Sequence, residues 1–510
     1  MIIQAALRKS VERFPDKIAL KVEKKAYRYS DIENETNQIA RGLKELGLQR
    51  GDRVVIYLDN SAEVVLGIYG ILKADAIFVV LNTKTKLNKL IYIINNCEAK
   101  FMVTSRKEFQ TDEDIDLLKK ECSSLRTIIL IDDRSGKYPT LRDFYSLSSD
   151  SINYSNISID LAGLIYTSGS TGFPKGVTMA HLNIMTAVES IISYLKNTPD
   201  DIIIDALPLS FDYGMYQIFM CMTFGGTLII QKDMVYIYQI LKIIEQEKVT
   251  GFPCVPTIFS LLLKMKNFEK FDLSHLRYIT NTGAAFPVPQ IRRLRLLLPH
   301  VQIYSMYGLT ECKRVAYLDP AQIDQRPQSV GKAMPNLEVF IVDENGNQLG
   351  PNQVGELVVR GASVMQGYWN SPEETAQKIK PGRYPLERFL YTGDLFLMDE
   401  EGFLYFLGRK DDLLKIKGER VSPKEIENVL YQMENIHEAA VIGVPDEVWG
   451  NYIKAFIVPV NHENIPDKKE IIKFCQERLE SWAVPKEIVY IDSLPKTANG
   501  KIDKAKLTQN

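Results

Sequence analysis

Between Leu164 and His181 the chain reads LIYTSGSTGFPKGVTMAH, the densest run of chemistry-bearing residues in the sequence. Leu164-Ile-Tyr166 suits a buried strand. Thr167, Ser168, Gly169, Ser170, Thr171 and Gly172 then carry almost no side-chain bulk before Pro174 and Lys175. Backbone N–H groups approach an oxyanion closely only where no Cβ intervenes, hydroxyls add donors, and a lysine adds a point charge on a flexible stem. The stretch outlines a phosphate loop. It is not the nucleotide-triphosphatase loop, because Pro174 stands where that motif needs its second glycine and no Ser or Thr follows Lys175. The alternative is a plain Gly/Ser turn between strands; the length of the loop and its terminal Pro-Lys-Gly argue against it.

Three further stretches combine types that could act on a charged ligand. Ser210-Phe-Asp-Tyr-Gly-Met-Tyr216 follows an apolar run, Ile202 to Pro208. Asp212 is thereby placed at the C-terminal end of a strand, where parallel sheets bind ligands, although a helix N-cap aspartate explains it equally simply. Tyr307-Gly-Leu-Thr-Glu311 ends the strand Val301 to Met306 and offers an aromatic face, a hydroxyl and a metal-binding carboxylate on one turn. A tight turn before a capped helix is its plainer reading. Lys501, in the polar loop Pro495 to Asp503, would by itself be a surface residue.

The elements that must position these groups alternate. Gly51 to Tyr57, Ile77 to Leu81 and Phe101 to Thr104 read as buried strands, with helices predicted over 62–73 and 87–95, a pattern that predicts parallel sheets flanked by helices. Ser30 to Glu33 reads as a capping box for a helix ended by Gly47, and a helix over 182–194 is expected directly after the phosphate loop. From Gly331 the texture changes to short alternating strands, which predicts a small β-barrel-like subdomain. Gly408-Arg-Lys-Asp411 is the most plausible boundary, and Ser422-Pro-Lys-Glu425 caps the first helix of a separate α+β unit. The expected division is 1–408, a large N-terminal domain; 409–411, a hinge; and 412–510, a small mobile C-terminal lid.

A chain of 510 residues exceeds what one core supports. A formal net charge of -2 argues against nucleic acid as the main partner. The six cysteines and five histidines are scattered without a CxxC pair, so neither a disulfide framework nor a structural zinc site is expected. No apolar run is long enough for a signal peptide core or a membrane span, which predicts a cytoplasmic protein without a membrane partner.

The phosphate loop, FDYG, YGLTE, GEL with GYWN, YTGDL, GRKDDLLKIKGERVSP and PKTANGKID resemble, in order, the motifs of the adenylate-forming superfamily of acyl-CoA synthetases, nonribosomal adenylation domains and luciferases. The resemblance runs from the helix after Ser30 to Lys501. It implies that a substrate carboxylate attacks the α-phosphate of ATP, pyrophosphate leaves, and the acyl group of the adenylate passes to a thiol. It further implies that Thr167, Ser168, Gly169, Ser170, Thr171 and Lys175 hold the β- and γ-phosphates, Thr310 contacts phosphate and Glu311 binds Mg²⁺. By the same resemblance Tyr307 stacks on adenine beside Gly283 and Ala284, Asp394 and Arg409 hold the ribose, Lys501 bridges carboxylate and α-phosphate, and the lid rotates about Asp411.

The substrate class turns on Asp212. Amino-acid-activating members carry an aspartate resembling it, and a substrate ammonium taken out of water needs a fixed counter-charge. The reading is a small amino acid, with FDYGMYQ most similar to free-standing enzymes that load proline onto a carrier protein. The pocket would comprise Asp212, Tyr213, Tyr216, Thr280, Thr282, Met306, Arg314 and Val315, of which Arg314 leaves room for a polar or anionic substrate. No phosphopantetheine site follows Asn510, so the carrier protein would be a separate chain. The alternative is an acyl- or aryl-acid CoA ligase, with CoA as the acceptor and Asp212 a helix cap.

Overall fold

Strands and helices alternate along the chain in a computed structural model and build two large sheets. The structure describes residues 1–109, 111–133, 136–168, 173–232, 236–265, 268–283, 286–385, 387–416, 419–446, 450–461, 465–497 and 502–508, with the side chains of 112, 168, 257, 260, 264, 411, 415, 419, 420, 450 and 505 left aside. In the nine-stranded sheet, Ile18–Val22, Thr227–Ile230, Ile202–Asp205, Gly251–Cys254, Tyr278–Asn281 and Gln302–Tyr307 lie side by side in parallel. In the seven-stranded sheet, Leu161–Ser168, Ile77–Leu81, Arg53–Tyr57, Phe101–Thr104 and Thr127–Leu130 do the same. Ile77–Leu81 and Arg53–Tyr57 are nearly unbroken runs of Ile, Val, Leu and Phe, as burial on both faces requires.

The helices Ala62–Lys73 and Asp212–Phe224 are buried along almost their whole length. A helix apolar all round has no solvent face to offer and so belongs between layers. Phe219 shows where: its ring centroid lies 6.5 Å from Tyr69 of the other helix and 5.9 Å from Phe78 of the seven-stranded sheet. Truncating such a side chain to alanine costs about 3–5 kcal/mol. The buried cation on this layer is paired: Lys73 Nζ lies 2.8 Å from Glu33 Oε2 and 2.8 Å from Asn37 Oδ1. Burial nevertheless pushes the Lys73 ammonium down to about 8.

Beyond these layers, Leu337–Val342, Val354–Gly361, Arg388–Met398, Ile379–Pro381 and Leu404–Arg409 form a five-stranded antiparallel sheet, the change of texture expected from Gly331 onward. Lys410–Asp412 is a single tight turn, followed by the hairpin Leu414–Ile416 and Glu419–Val421. The C-terminal region then forms a three-stranded sheet, Ile436–Asp446, Gly450–Pro459 and Glu487–Tyr490, with the helices Pro423–Leu430 and Lys468–Gln476. Ser422 caps the first of these, accepting from the Lys424 N–H at 3.2 Å.

One local expectation is corrected. The helix before Gly47 runs Tyr29–Glu45, and its reciprocal cap is formed by Asp31, whose carboxylate accepts the Arg28 N–H at 2.8 Å. Glu33 is instead committed to Lys73. The helix expected over 182–194 is present as His181–Leu195, and the strand before it, Pro174–Ala180, antiparallel to Leu161–Ser168, was not anticipated. Lys175 therefore sits on a strand paired with Leu161–Ser168, opposite Thr167. Asp75 keeps a left-handed φ of 64°. Its carboxylate accepts the Ser155 N–H at 2.6 Å and pairs with Lys44 at 3.1 Å, pinning the polar 132–160 region to the core.

Candidate active site

The C-terminal ends of the parallel strands open into one cavity of about 1000 Å³. Open α/β sheets bind ligands there because the loops that follow the strands converge at that end. Its walls take Thr167 and Lys175 from the hairpin, Asp212 and Tyr213 from the buried helix, Thr282 and Gly283 after Tyr278–Asn281, and Met306 to Arg314 after Gln302–Tyr307. Asp394 and Arg409 enter from the antiparallel sheet, and Lys496, Thr497, Asp503 and Lys506 from the C-terminal region.

At one end Asp394 joins two of the predicted residues. The Tyr307 hydroxyl donates to its Oδ2 at 2.5 Å, and Arg409 Nε lies 3.2 Å from its Oδ1. Asp394 and Arg409 face each other as cross-strand partners, so the pairing is written into the sheet register. Burial pushes the Asp394 carboxyl up, against the pull of the Tyr307 hydroxyl and of Arg409. The Tyr307 ring is held edge-on by Phe396 at 4.7 Å. Gly283 has φ of 87°, a conformation that spares it a Cβ and keeps this wall low.

In the middle, the Tyr368 hydroxyl donates to Glu311 Oε1 at 2.7 Å, and the Tyr368 ring lies 5.7 Å from Lys175 Nζ. Lys175 itself pairs with Glu374 at 2.6 Å. Tyr368 and Glu374 were not anticipated; the GYWN motif pointed to the first, and nothing in the sequence to the second. Among the described residues no group of three or more metal-ligating side chains exists. One carboxylate beside hydroxyls and a lysine is unsuited to zinc but fits magnesium, which keeps waters and shares itself with substrate phosphates.

The opposite end is a buried charged cluster. Lys313 Nζ lies 3.9 Å from Asp212 Oδ2, with the two side chains 2% and 8% exposed. Lys313 also sits over the Tyr216 ring at 4.4 Å and the Tyr213 ring at 5.2 Å. Burial pushes its ammonium down to about 7, with Asp212 raising it in opposition. Arg314 is 2% exposed and lies over Tyr213 at 5.3 Å. Lys313 keeps a left-handed φ of 67°, and a Cβ on Gly308 would fall 2.1 Å from the Lys313 carbonyl. Backbone strain of this kind persists where the surroundings over-determine it; here it turns both cations inward. Lys313 was missed, although it follows YGLTEC directly in the sequence.

Asp212 opens the helix Asp212–Phe224, and the residue that ends the strand is Asp205, which was also missed. Burial pushes the Asp205 carboxyl well up. Tyr213, Thr282, Met306 and Arg314 line the cavity as predicted. Tyr216 and Thr280 instead line a separate void of about 10 Å³ behind it, where the Tyr213 hydroxyl bonds Thr280 Oγ1. Val315 is core: it is fully buried, faces neither cavity, and its N–H donates to the Tyr307 carbonyl at 2.9 Å. Gly169, Ser170, Thr171, Ala284 and Lys501 lie outside the described residues, as do the side chains of Ser168 and Asp411.

Comparison with known proteins agrees with this layout. The AMP-binding enzyme family matches residues 7–369, and the AMP-binding enzyme C-terminal domain matches residues 425–501. A long-chain-fatty-acid–CoA ligase of Bacillus subtilis is 30% identical over 99% of this chain and 94% of its own length. A segment of a linear gramicidin synthase of Brevibacillus parabrevis, 6% of that protein, is 28% identical over 99% of this chain. The crystal structure of the anthranilate CoA ligase AuaEII with anthranoyl-AMP superposes with a TM-score of 0.90 at 28% identity, covering 100% of this chain and 97% of that one. The chain belongs to the AMP-binding enzyme family, and with it to the adenylate-forming superfamily that its motifs resemble.

Proposed function

We propose that the protein is an AMP-forming carboxylic acid–CoA ligase, which activates an acid lacking an amine as its acyl adenylate and passes the acyl group to CoA. The observation that carries this choice over amino-acid activation is the state of Asp212. A substrate ammonium needs a carboxylate without another partner, whereas Asp212 is already paired with Lys313, and Arg314 acts on Lys313 as a further cation in the same cluster. Bringing in a third positive charge would oppose both Coulomb's law and the desolvation cost. The acid–CoA ligases among the relatives support the same choice. The expectation of a carrier protein rests on the FDYGMYQ resemblance, with the gramicidin synthase segment among the relatives beside it, and CoA is the simpler acceptor.

In this reading ATP lies along the cavity. Asp394 and Arg409 accept and donate to the ribose, Tyr307 borders the adenine, and Thr310, Thr167 and Lys175 meet the phosphates. The triphosphate must displace Glu374 from Lys175, an exchange of one anionic partner for another. A magnesium ion held by Glu311 would offset the charge of the phosphates, with Tyr368 fixing the orientation of the carboxylate. Fixed donors around the reacting phosphorus stabilise charge as it develops without reorganising. Lys501 would bridge the acid and the α-phosphate from the C-terminal region, whose Lys496 and Asp503 already line the cavity. Rotation of the 412–510 lid about Asp411 would then withdraw that loop and admit the thiol.

The test is product analysis. The protein is incubated with ATP, magnesium, CoA and a panel of alkanoic, aryl and dicarboxylic acids, and the products are separated by mass. AMP, pyrophosphate and one acyl-CoA are expected; aminoacyl-AMP formed from an amino acid, with no thioester from any amine-free acid, would overturn the reading.

A further inference from the structure

Arg314 is only partly accounted for by its surroundings. Its guanidinium lies over the Tyr213 ring at 5.3 Å. The side chain is 2% exposed, yet its Nε and Nη1 have no hydrogen-bond partner among the described residues. Leaving guanidinium donors buried and unmet costs free energy, and such groups are otherwise found paired. The charge count points the same way. Lys313 takes the Asp212 carboxylate, so Arg314 brings a further positive charge with no carboxylate on its Nε or Nη1 among the described residues. The void behind the cluster is about 10 Å³, room for one water and no more, so a charged partner can reach Arg314 only from the main cavity. The Tyr216 hydroxyl beside Lys313 is likewise buried without a partner among the described residues. A guanidinium is matched best by a planar oxyanion, and carboxylate is the smallest that an acid substrate can carry.

We propose that the substrate is a dicarboxylic acid whose distal carboxylate is received by Arg314, beside Lys313, while the other carboxylate is adenylated. This rests on the acid-ligase reading for the reaction, but the binding of the distal group does not depend on the acceptor. The Arg314 side of the cluster becomes neutral only when the second carboxylate arrives, so the site selects against monocarboxylic acids by leaving those donors unmet. A pocket built to hydrogen-bond one substrate group rejects analogues lacking it strongly. Arg314 is thus a specificity-determining residue, remote from the reacting phosphorus.

The experiment uses the full chain with magnesium and a non-hydrolysable ATP analogue. Thermal unfolding is followed with linear diacids from malonate to suberate and with phthalates, each beside its monomethyl ester, in the wild type and in Arg314→Met and Arg314→Lys. At least one diacid is expected to raise the wild-type midpoint where its ester does not. That shift should vanish in Arg314→Met and be reduced in Arg314→Lys, and pyrophosphate exchange should favour the same diacid over its ester by at least about a hundredfold. If no diacid differs from its ester in the wild type, or if the Arg314 variants keep the difference, the proposal is wrong. CoA thioesters formed equally well from monocarboxylic acids would overturn the diacid site and leave the ligase reading standing. Diacid-selective exchange without any CoA thioester would do the reverse.

Discussion

The pairing of Asp212 with Lys313 can be tested without knowing the substrate, by asking what each residue does for stability alone and together. At 3.9 Å the pair attracts by about 4 kcal/mol at an effective dielectric of about 20. Both side chains are buried, so solvent does not replace a missing partner. Asp212→Asn leaves Lys313 and Arg314 facing each other, and Lys313→Met strands a carboxylate; each should cost about 3–5 kcal/mol, as removal of one buried partner does. Replacing both together, Asp212→Asn with Lys313→Met, should restore much of that loss, because the coupling goes with the pair. Scanning calorimetry at one fixed scan rate reads the ranking, which survives irreversible unfolding better than any absolute free energy. The expected order is wild type, then the double variant, then the two single variants several degrees below. If Asp212→Asn melts with the wild type, or if the two single losses simply add in the double variant, Asp212 is not engaged by Lys313. It would then be available to a substrate ammonium, and the case against amino-acid activation would fail.

Three other outcomes follow from the same geometry. Tyr368→Phe removes the 2.7 Å hydrogen bond that orients Glu311, and should raise the magnesium concentration needed for half-maximal pyrophosphate exchange by about 10–100-fold; an unchanged magnesium titration would refute that role. Lys313 titrates near 7 in the folded protein against an ordinary value of 10.5, so the unfolded chain binds the extra proton between those values and the stability contributed by Lys313 rises with pH across that window. Lys313→Met should flatten that part of the stability profile, and a slope identical to wild type would exclude a buried, depressed lysine. Lys73→Met leaves Glu33 with only the longer Arg8 pair at 3.9 Å and should destabilise by about 3 kcal/mol while exchange measured well below the melting point persists; loss of exchange in a protein that still melts cooperatively would give Lys73 a part in the site.

The elements were legible where a single physical rule governs them. Runs such as Ile77–Leu81 and Phe101–Thr104 are apolar on both faces, and only a parallel sheet between helices uses them. The switch to turn-punctuated alternation at Gly331 marked the antiparallel sheet for the same reason. The hairpin return at Pro174–Ala180 was hidden because its alternation is interrupted by glycine and proline, and pairing with Leu161–Ser168 is a long-range choice. The helix cap failed on rivalry between neighbours: Asp31 and Glu33 both suit the role, and the buried Lys73 claims Glu33 from a distant helix.

At the site, cavity residues that carry a motif of their own were readable, and those defined by each other were not. Asp394 and Arg409 carry separate motifs, and the sheet register brings them together. Lys313 had no motif of its own, and its meaning comes from Asp212, Tyr216 and the turn at Gly308, none of which is adjacent in sequence. Asp212 was therefore read as a lone carboxylate awaiting an ammonium. Val315 and Thr280 were assigned to the pocket by their place after and beside the motifs, whereas the turn after Tyr307 carries Val315 into the core and the strand Tyr278–Asn281 sets Thr280 behind Tyr213.

The measurement that bears most directly on the central claim is substrate-dependent ATP–pyrophosphate exchange by the full chain, run in parallel against the common amino acids and against amine-free mono- and dicarboxylic acids. Exchange is expected with an amine-free acid, and none above background with any amino acid. Exchange driven by a single amino acid and abolished in Asp212→Ala would contradict that claim.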